Sequence, residues 1–172
     1  MGSYIRNYVE GGTFFFTLVT KDRIPFFNND ENCEIFLSAV EKIHKYRPFD
    51  LDAWCILPDH IHLIITLPEN EHNYSNIIRE IKKNVTKNIR LHSNNPQTVI
   101  WQDRFWEHTI RNQRDLQTHY VYTIYNAVKH GFVDDVGDWK WSSFCQDDSP
   151  EPNQNILKHI EKIQKDGYSF GE

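Results

Sequence analysis

His60-Ile61-His62 heads an apolar run that ends at Leu67, and these residue types at this spacing suit a metal site built into a strand. Side chains alternate faces along a strand, so residues two apart point the same way. His60, His62, Ile64 and Thr66 then share one face, while Ile61, Leu63, Ile65 and Leu67 form an unbroken apolar face for packing. Two imidazoles on one face can converge on one ion, provided that each ring has its second nitrogen hydrogen-bonded to fix the tautomer. A pair of satisfied structural histidines is the plain alternative. A second element favours chemistry. Read as a helix, Asp115, His119, Tyr122, Asn126 and Lys129 recur at steps of four, three, four and three and fall along one stripe. A tyrosine hydroxyl then stands one turn before a carboxamide. Beside a His-x-His strand, that pairing suggests a nucleophile next to a metal.

The helix has both of its ends written in the sequence. Asn112 suits the N-cap and Asp115 the first turn, Lys129 and His130 suit the last turn, and Gly131 suits the position just beyond. Val121, Ile124 and Val128 lie off the polar stripe and can bury themselves. Upstream, the patterns predict a strand over 13–20, a helix over 31–46, strands over 51–57 and 60–67, a helix over 76–91 and a strand over 106–111. The order strand, helix, strand, strand, helix, strand, helix predicts an α+β fold, a ferredoxin-like antiparallel sheet with packed helices. Pro58-Asp59 sits where a tight reversal would join the two middle strands.

Several stretches together resemble one family. They are Gly11-Gly12-Thr13-Phe14-Phe15-Phe16-Thr17, Leu57-Pro58-Asp59-His60-Ile61-His62-Leu63, Trp101 to His108 (WQDRFWEH), Tyr122 to Gly131 (YTIYNAVKHG) and Trp139-Lys140-Trp141-Ser142-Ser143-Phe144. In this order they resemble the REP-associated tyrosine transposases, part of the histidine-hydrophobic-histidine (HUH) single-strand endonucleases with one catalytic tyrosine. The likeness runs from about Tyr4 to Phe144. One departure is Asn126-Ala127, where the family usually has Asn-Pro; alanine is the better helix former, so the helix is expected to continue.

The resemblance implies that His60 and His62 ligate a divalent cation, with Asn126 as third ligand through its amide oxygen, and that Tyr122 is the nucleophile. Tyr120 and Tyr125 share the helix, but only Tyr122 stands four residues before Asn126. A free tyrosine has a pKa of about 10, so its attack needs help in losing the proton. Attack by Tyr122 exchanges one phosphodiester for another and keeps the bond energy for rejoining. The family implies a 5′-phosphotyrosine intermediate and a free 3′-hydroxyl. His119 is a possible accessory in proton transfer or phosphate contact. Asp59, Glu107 and His108 either orient the ligands or simply face water. Two imidazoles and an amide oxygen suit several divalent ions, and Mg²⁺ or Mn²⁺ is the expectation, since no cysteine pair completes a closed zinc site. Cys33, Cys55 and Cys145 are odd in number and widely spaced, and read as reduced, mostly packed thiols.

The 172 residues, 14% of them aromatic, suffice for one domain with a real core. Residues 1–145 are expected to form that transposase/nuclease domain, and 146–172 an acidic linker with a short terminal helix. There is no signal-peptide pattern and no apolar stretch of spanning length, so a cytoplasmic, nucleoid-associated protein without membrane contact is expected. The net charge of −5 by itself disfavours nucleic acid, yet it is unevenly spread. Residues 78–114 carry a local excess of five positive charges, and residues from Asp134 onward an excess of five negative ones. Lys82, Lys83, Lys87, Arg90 and Arg104 become candidate phosphate contacts, and Trp101, Phe105 and Trp106 either stack on bases or fill the core. The resemblance implies single-stranded DNA carrying a hairpin as the partner, cleaved and rejoined beside the palindrome, by a monomer in preference to a dimer. A replication nickase and a DNA-binding module without turnover are the alternatives.

Overall fold

The sheet is built where alternating apolar residues can be covered from both sides. The computed structural model describes residues 8–93, 95–146 and 158. Its main elements are β1 (Thr13–Val19), α1 (Asp30–Tyr46), β2 (Asp50–Leu57), β3 (His60–Thr66), α2 (Tyr74–His92), β4 (Trp106–Thr109), α3 (Gln113–Lys129) and the short α4 (Ser143–Gln146). The strands lie in the order β2-β3-β1-β4, and every pairing is antiparallel. This is the expected α+β, ferredoxin-like arrangement. The expected segment 146–172 lies outside the described residues, apart from Gln146 and Lys158.

One face of the sheet carries Phe14, Phe16, Leu18, Trp54, Ile56, Ile61, Leu63 and Ile65. Against it pack α1, through Cys33, Phe36, Val40 and Ile43, and α2, through Ile77, Ile81, Val85 and Ile89. Steps of three and four keep each set on one helix face. The main core therefore lies on this side. The other face, with Phe15, Ala53, Cys55, Leu57, Ile64 and the two histidines, is covered by α3. β3 is flanked by β2 and β1 in the sheet, so His60 and His62 stand on a central strand held on both sides.

Capping explains where the elements differ from expectation. α2 begins at Tyr74, ahead of the expected 76, because Asn73 caps it by accepting from the Asn76 amide. β4 stops at Thr109, short of the expected 111, because the Arg111 amide turns to the Asp115 carboxylate and Asn112 caps α3. α3 runs unbroken through Asn126-Ala127, and Ala127 is buried beside Cys55 and Leu57. Gly131 takes φ +70, the left-handed conformation that ends such a helix. The segment 139–144 covers the outer edge of β2: the Ile56 amide donates to the Trp141 carbonyl at 2.8 Å, and the Trp139 indole donates to the Ile56 carbonyl at 3.0 Å. That edge would otherwise offer unpaired backbone groups. Cys33 and Cys55 are buried, which pushes both thiols up to about 12, whereas Cys145 is exposed.

Candidate active site

His60 and His62 are almost wholly buried and lie with ring centroids 5.0 Å apart. Each has one ring nitrogen fixed from outside. The His60 Nδ1–H donates to Asp59 Oδ1 at 2.6 Å, and Asp59 is held in turn by Arg23 at 3.3 Å. Burial alone would raise the Asp59 carboxyl, but His60 and Arg23 together hold it below the usual carboxylate range. His62 Nδ1 meets Thr17 Oγ1 at 3.0 Å, because Thr17 on β1 is its partner in the strand register. Such contacts set tautomer and ring orientation, leaving Nε2 of each ring for another task.

Asn126 and Tyr122 reach the same face from α3. Asn126 is fully buried; its amide nitrogen donates to the Tyr122 carbonyl one turn earlier at 3.4 Å, and the side chain lies close enough to act on the His62 ring. At this site two buried atoms, His62 Nε2 and Asn126 Oδ1, have no hydrogen-bond partner among the described residues. An unpartnered buried polar atom costs about 1–3 kcal/mol, a cost that a ligand shared by the two would offset. Both are lone-pair atoms, and with His60 they can hold a cation. The Tyr122 ring lies 5.2 Å from His62 and 5.7 Å from Phe15, and the Lys129 ammonium donates to its hydroxyl at 3.4 Å.

The expected stripe thus divides in two. Tyr122, Asn126 and Lys129 gather at the histidine pair. His119 instead joins Asp115 and His108, on the far side of the Phe15 ring, which packs against both His62 and His119. His108 therefore does not orient His60 or His62. Glu107 does not either, because its place in β4 opposite Phe16 turns it to the other sheet face. Asp59 does. Trp101 belongs to the core and Phe105 packs against it, whereas Trp106 is exposed. Lys82, Lys83, Lys87 and Arg90 line one cleft of about 560 Å³ with Trp101 and Pro96. Lys82 also donates to the Gln102 carbonyl and Arg90 to the Thr98 carbonyl. The cleft lies on the α2 side of the sheet, opposite the histidines. Arg104 is exposed and stands outside it. Lys129, Thr17, Arg23 and His130, whose ring lies 5.0 Å from His60, also stand at the site, although the sequence marks Lys129 only as a residue of the stripe and of the helix's last turn, His130 only as one of the last turn, and Thr17 and Arg23 not as site residues. Lys129 had a readable signal in its place on the stripe, whereas Thr17 depends on strand register and Arg23 on a turn in which Asp22 and Arg23 both take positive φ.

Burial lowers the His62 pKa well below its ordinary 6.5; the neighbouring His60 adds to this, and the Asn126 contact opposes it. The unfolded chain protonates this ring near 6.5, while the folded chain does so only at lower pH. The unfolded state then binds more protons across that window, so stability rises with pH there. Melting of the metal-free chain is expected to be level above about 6.5 and to weaken as pH falls towards the folded value. His62→Gln should flatten this fall; an unchanged slope would assign the acid sensitivity to other groups.

A strand-borne histidine pair with a tyrosine–asparagine helix packed over it on the same sheet face is the architecture of a class of DNA-processing proteins, and comparison with known sequences and structures makes the class specific. The family model described as IS200-like transposase matches residues 8–123. The REP-associated tyrosine transposase of Escherichia coli is 42% identical over 147 residues, covering 86% of this chain and 85% of its own. A Haemophilus influenzae protein assigned to the same group is 44% identical over 155 residues, covering 86% and 88%. A solved structure of a REP-associated tyrosine transposase bound to a REP hairpin superposes with a TM-score of 0.77 at 40% identity, over 88% of this chain and 89% of that one. A Deinococcus radiodurans structure at 16% identity and TM-score 0.51 shares the fold. The chain belongs to the IS200-like transposase family, among its REP-associated tyrosine transposases.

Proposed function

We propose that the protein cleaves and rejoins single-stranded DNA beside hairpin-forming palindromes, with Tyr122 as nucleophile and His60, His62 and Asn126 holding a divalent cation, Mg²⁺ or Mn²⁺. The observation that carries this reading is the pair of orphaned buried atoms, His62 Nε2 and Asn126 Oδ1, beside the Tyr122 ring. A cation, when bound, supplies positive charge for the scissile phosphate and orients it for in-line attack. Around it the side chains have separate tasks. Asp59 and Thr17 hold the imidazoles, and the Tyr122 carbonyl holds the Asn126 amide. The Tyr122 oxygen attacks phosphorus as its proton departs, the phosphorus–O3′ bond breaks, and the leaving oxygen takes a proton to become the 3′-hydroxyl. The 5′ phosphate stays on tyrosine until a 3′-hydroxyl reverses the step. Because Tyr122 lies against His62 of its own chain, the arrangement supports action in cis by a monomer. The test is mass-spectrometric mapping after reaction with single-stranded hairpin DNA and Mg²⁺: a nucleotide on Tyr122 is expected, and modification elsewhere would defeat the assignment.

Lys129 lowers the cost of the phenolate through its ammonium, as a charged donor to the developing oxyanion. Lys129→Met is expected to slow adduct formation by roughly 10²-fold and to displace the rate profile towards higher pH. Slowing without any pH displacement would indicate a packing role only.

Hairpin DNA is the partner of the solved relative, and the Lys82–Arg90 cleft offers this chain a cationic surface for a DNA backbone. Lys83 and Lys87 are its exposed basic residues. Lys83→Glu with Lys87→Glu should weaken hairpin binding and flatten its logarithmic salt dependence by about 1.5 to 2. An unchanged salt slope would move the DNA path away from α2.

A further inference from the structure

Beyond the histidine pair, three ligand-type side chains meet at the outer strand. His108 on β4, Asp115 in the first turn of α3 and His119 one turn later place ligand atoms within 4.8 Å of one another. His108 Nε2 lies 2.9 Å from Asp115 Oδ2, and His119 Nδ1 lies 3.0 Å from Asp115 Oδ1. The two imidazoles stack with centroids 4.4 Å apart and planes 15° apart, so their nitrogens approach one carboxylate side by side.

We propose that His108, Asp115 and His119 form a second metal site, taking Zn²⁺ or a similar borderline divalent ion, that fastens the tyrosine helix to the outer strand of the sheet. Zinc–nitrogen bonds of about 2.0–2.1 Å in a tetrahedron put neighbouring donor atoms about 3.3 Å apart, so both histidine–carboxylate spacings need to open by a few tenths of an ångström, while the stacked rings must tilt so that their in-plane lone pairs meet on one ion and their nitrogens, now within 4.8 Å, reach that spacing. Two imidazoles and one carboxylate, with an open fourth position, are a ligand set that zinc accepts. The surroundings already orient the ligands. The Arg111 amide donates to Asp115 Oδ2 at 2.9 Å, Trp106 stacks parallel to His108, and Phe15 packs on His119. The three side chains keep 24%, 19% and 16% of their surface exposed, which leaves an ion a way in. Burial lowers the His119 pKa, keeping that ring in the neutral form that ligates. Binding needs no redox step: each neutral ring carries its single proton on the nitrogen away from the ion. For His119 this gives up the bond from Nδ1 to the Asp115 carbonyl at 2.9 Å.

This inference does not rest on the tyrosine reaction, and its test can be separated from it. In the full chain carrying His60→Gln and His62→Gln, which removes the first site, calorimetry should still find one equivalent of Zn²⁺. Zinc should raise the Tm of that variant by roughly 5 °C, and Co²⁺ should give the visible bands of a low-coordinate nitrogen–oxygen site. Adding His119→Gln or His108→Gln should abolish all three signals while circular dichroism stays unchanged. No saturable zinc binding, or binding that survives these substitutions, would leave a hydrogen-bonded cluster and overturn the proposal. Should the first double variant fail to fold, the same count is made on the unaltered site pair. The wild-type chain should then bind two equivalents and His119→Gln one; equal stoichiometry in the two would overturn the proposal.

Discussion

Replacing Tyr122 with phenylalanine is expected to abolish the covalent protein–DNA adduct altogether while leaving hairpin binding within about threefold of the unaltered chain, a difference of under 1 kcal/mol. The substitution leaves the packing around the ring in place. The ring packs edge-on to His62 and Phe15, and phenylalanine keeps both contacts. The lost hydroxyl takes with it one hydrogen bond from Lys129, a loss of about 1 kcal/mol that moves Tm by only about 2–4 °C. Fold and DNA surface therefore survive, and only the attacking oxygen is missing. Tyr120→Phe and Tyr125→Phe serve as controls on the same helix. Tyr125 packs with Val121 and Ile124, away from the histidines, and Tyr120, though packed beside Phe15 and Tyr122, does not stand one turn before Asn126, so both controls should retain the adduct. Denaturing gels with end-labelled hairpin DNA read all three variants, and an adduct from the Tyr122 variant would remove this residue from the nucleophile's place.

The legible part of this molecule is the part written in local periodicity. The alternation from Ile61 to Leu67 is enough to put the histidines and the apolar residues on opposite faces, and the caps at Asn112 and Gly131 fix the helix on which Tyr122 and Asn126 stand one turn apart. The pairing between strands is not local. Thr17 meets His62 only because β1 and β3 align in one register, and no pattern within β1 announces that. The same holds for the division of the stripe. Asp115 and His119 look continuous with Tyr122 on a helical wheel, yet β4 runs beside β1 and brings His108 to them. The basic residues were legible as a cluster but not as to side: α2 packs against the sheet through Ile77, Ile81, Val85 and Ile89, and this carries the lysines away from the histidine face.

The second large effect concerns the ligand atoms themselves. Asn126→Ala and His62→Ala should each lower the rate of adduct formation by roughly 10²–10³-fold, and chelation of divalent ions should bring the unaltered chain to the same low level. The two substitutions differ in what they do to the fold. Removing Asn126 deletes an acceptor that has no partner in the metal-free protein, and with it the amide's long bond to the Tyr122 carbonyl, and leaves a small cavity. These effects offset each other, so Tm is expected to move by no more than about 4 °C. Removing His62 deletes the ring between Phe15 and Tyr122 as well as its bond to Thr17, and a loss of about 2–3 kcal/mol should follow. Added Mg²⁺ or Mn²⁺ should raise the Tm of the unaltered chain and leave that of both variants unmoved by this site. If Asn126→Ala unfolds the chain while the remaining folded fraction keeps full activity, the carboxamide is a structural group and the ligand assignment is lost. Mixing Tyr122→Phe with His62→Ala chains adds the last discrimination. Because each Tyr122 faces the His62 of its own chain, the mixture should form no adduct; recovery would require tyrosine and ion to come from different subunits.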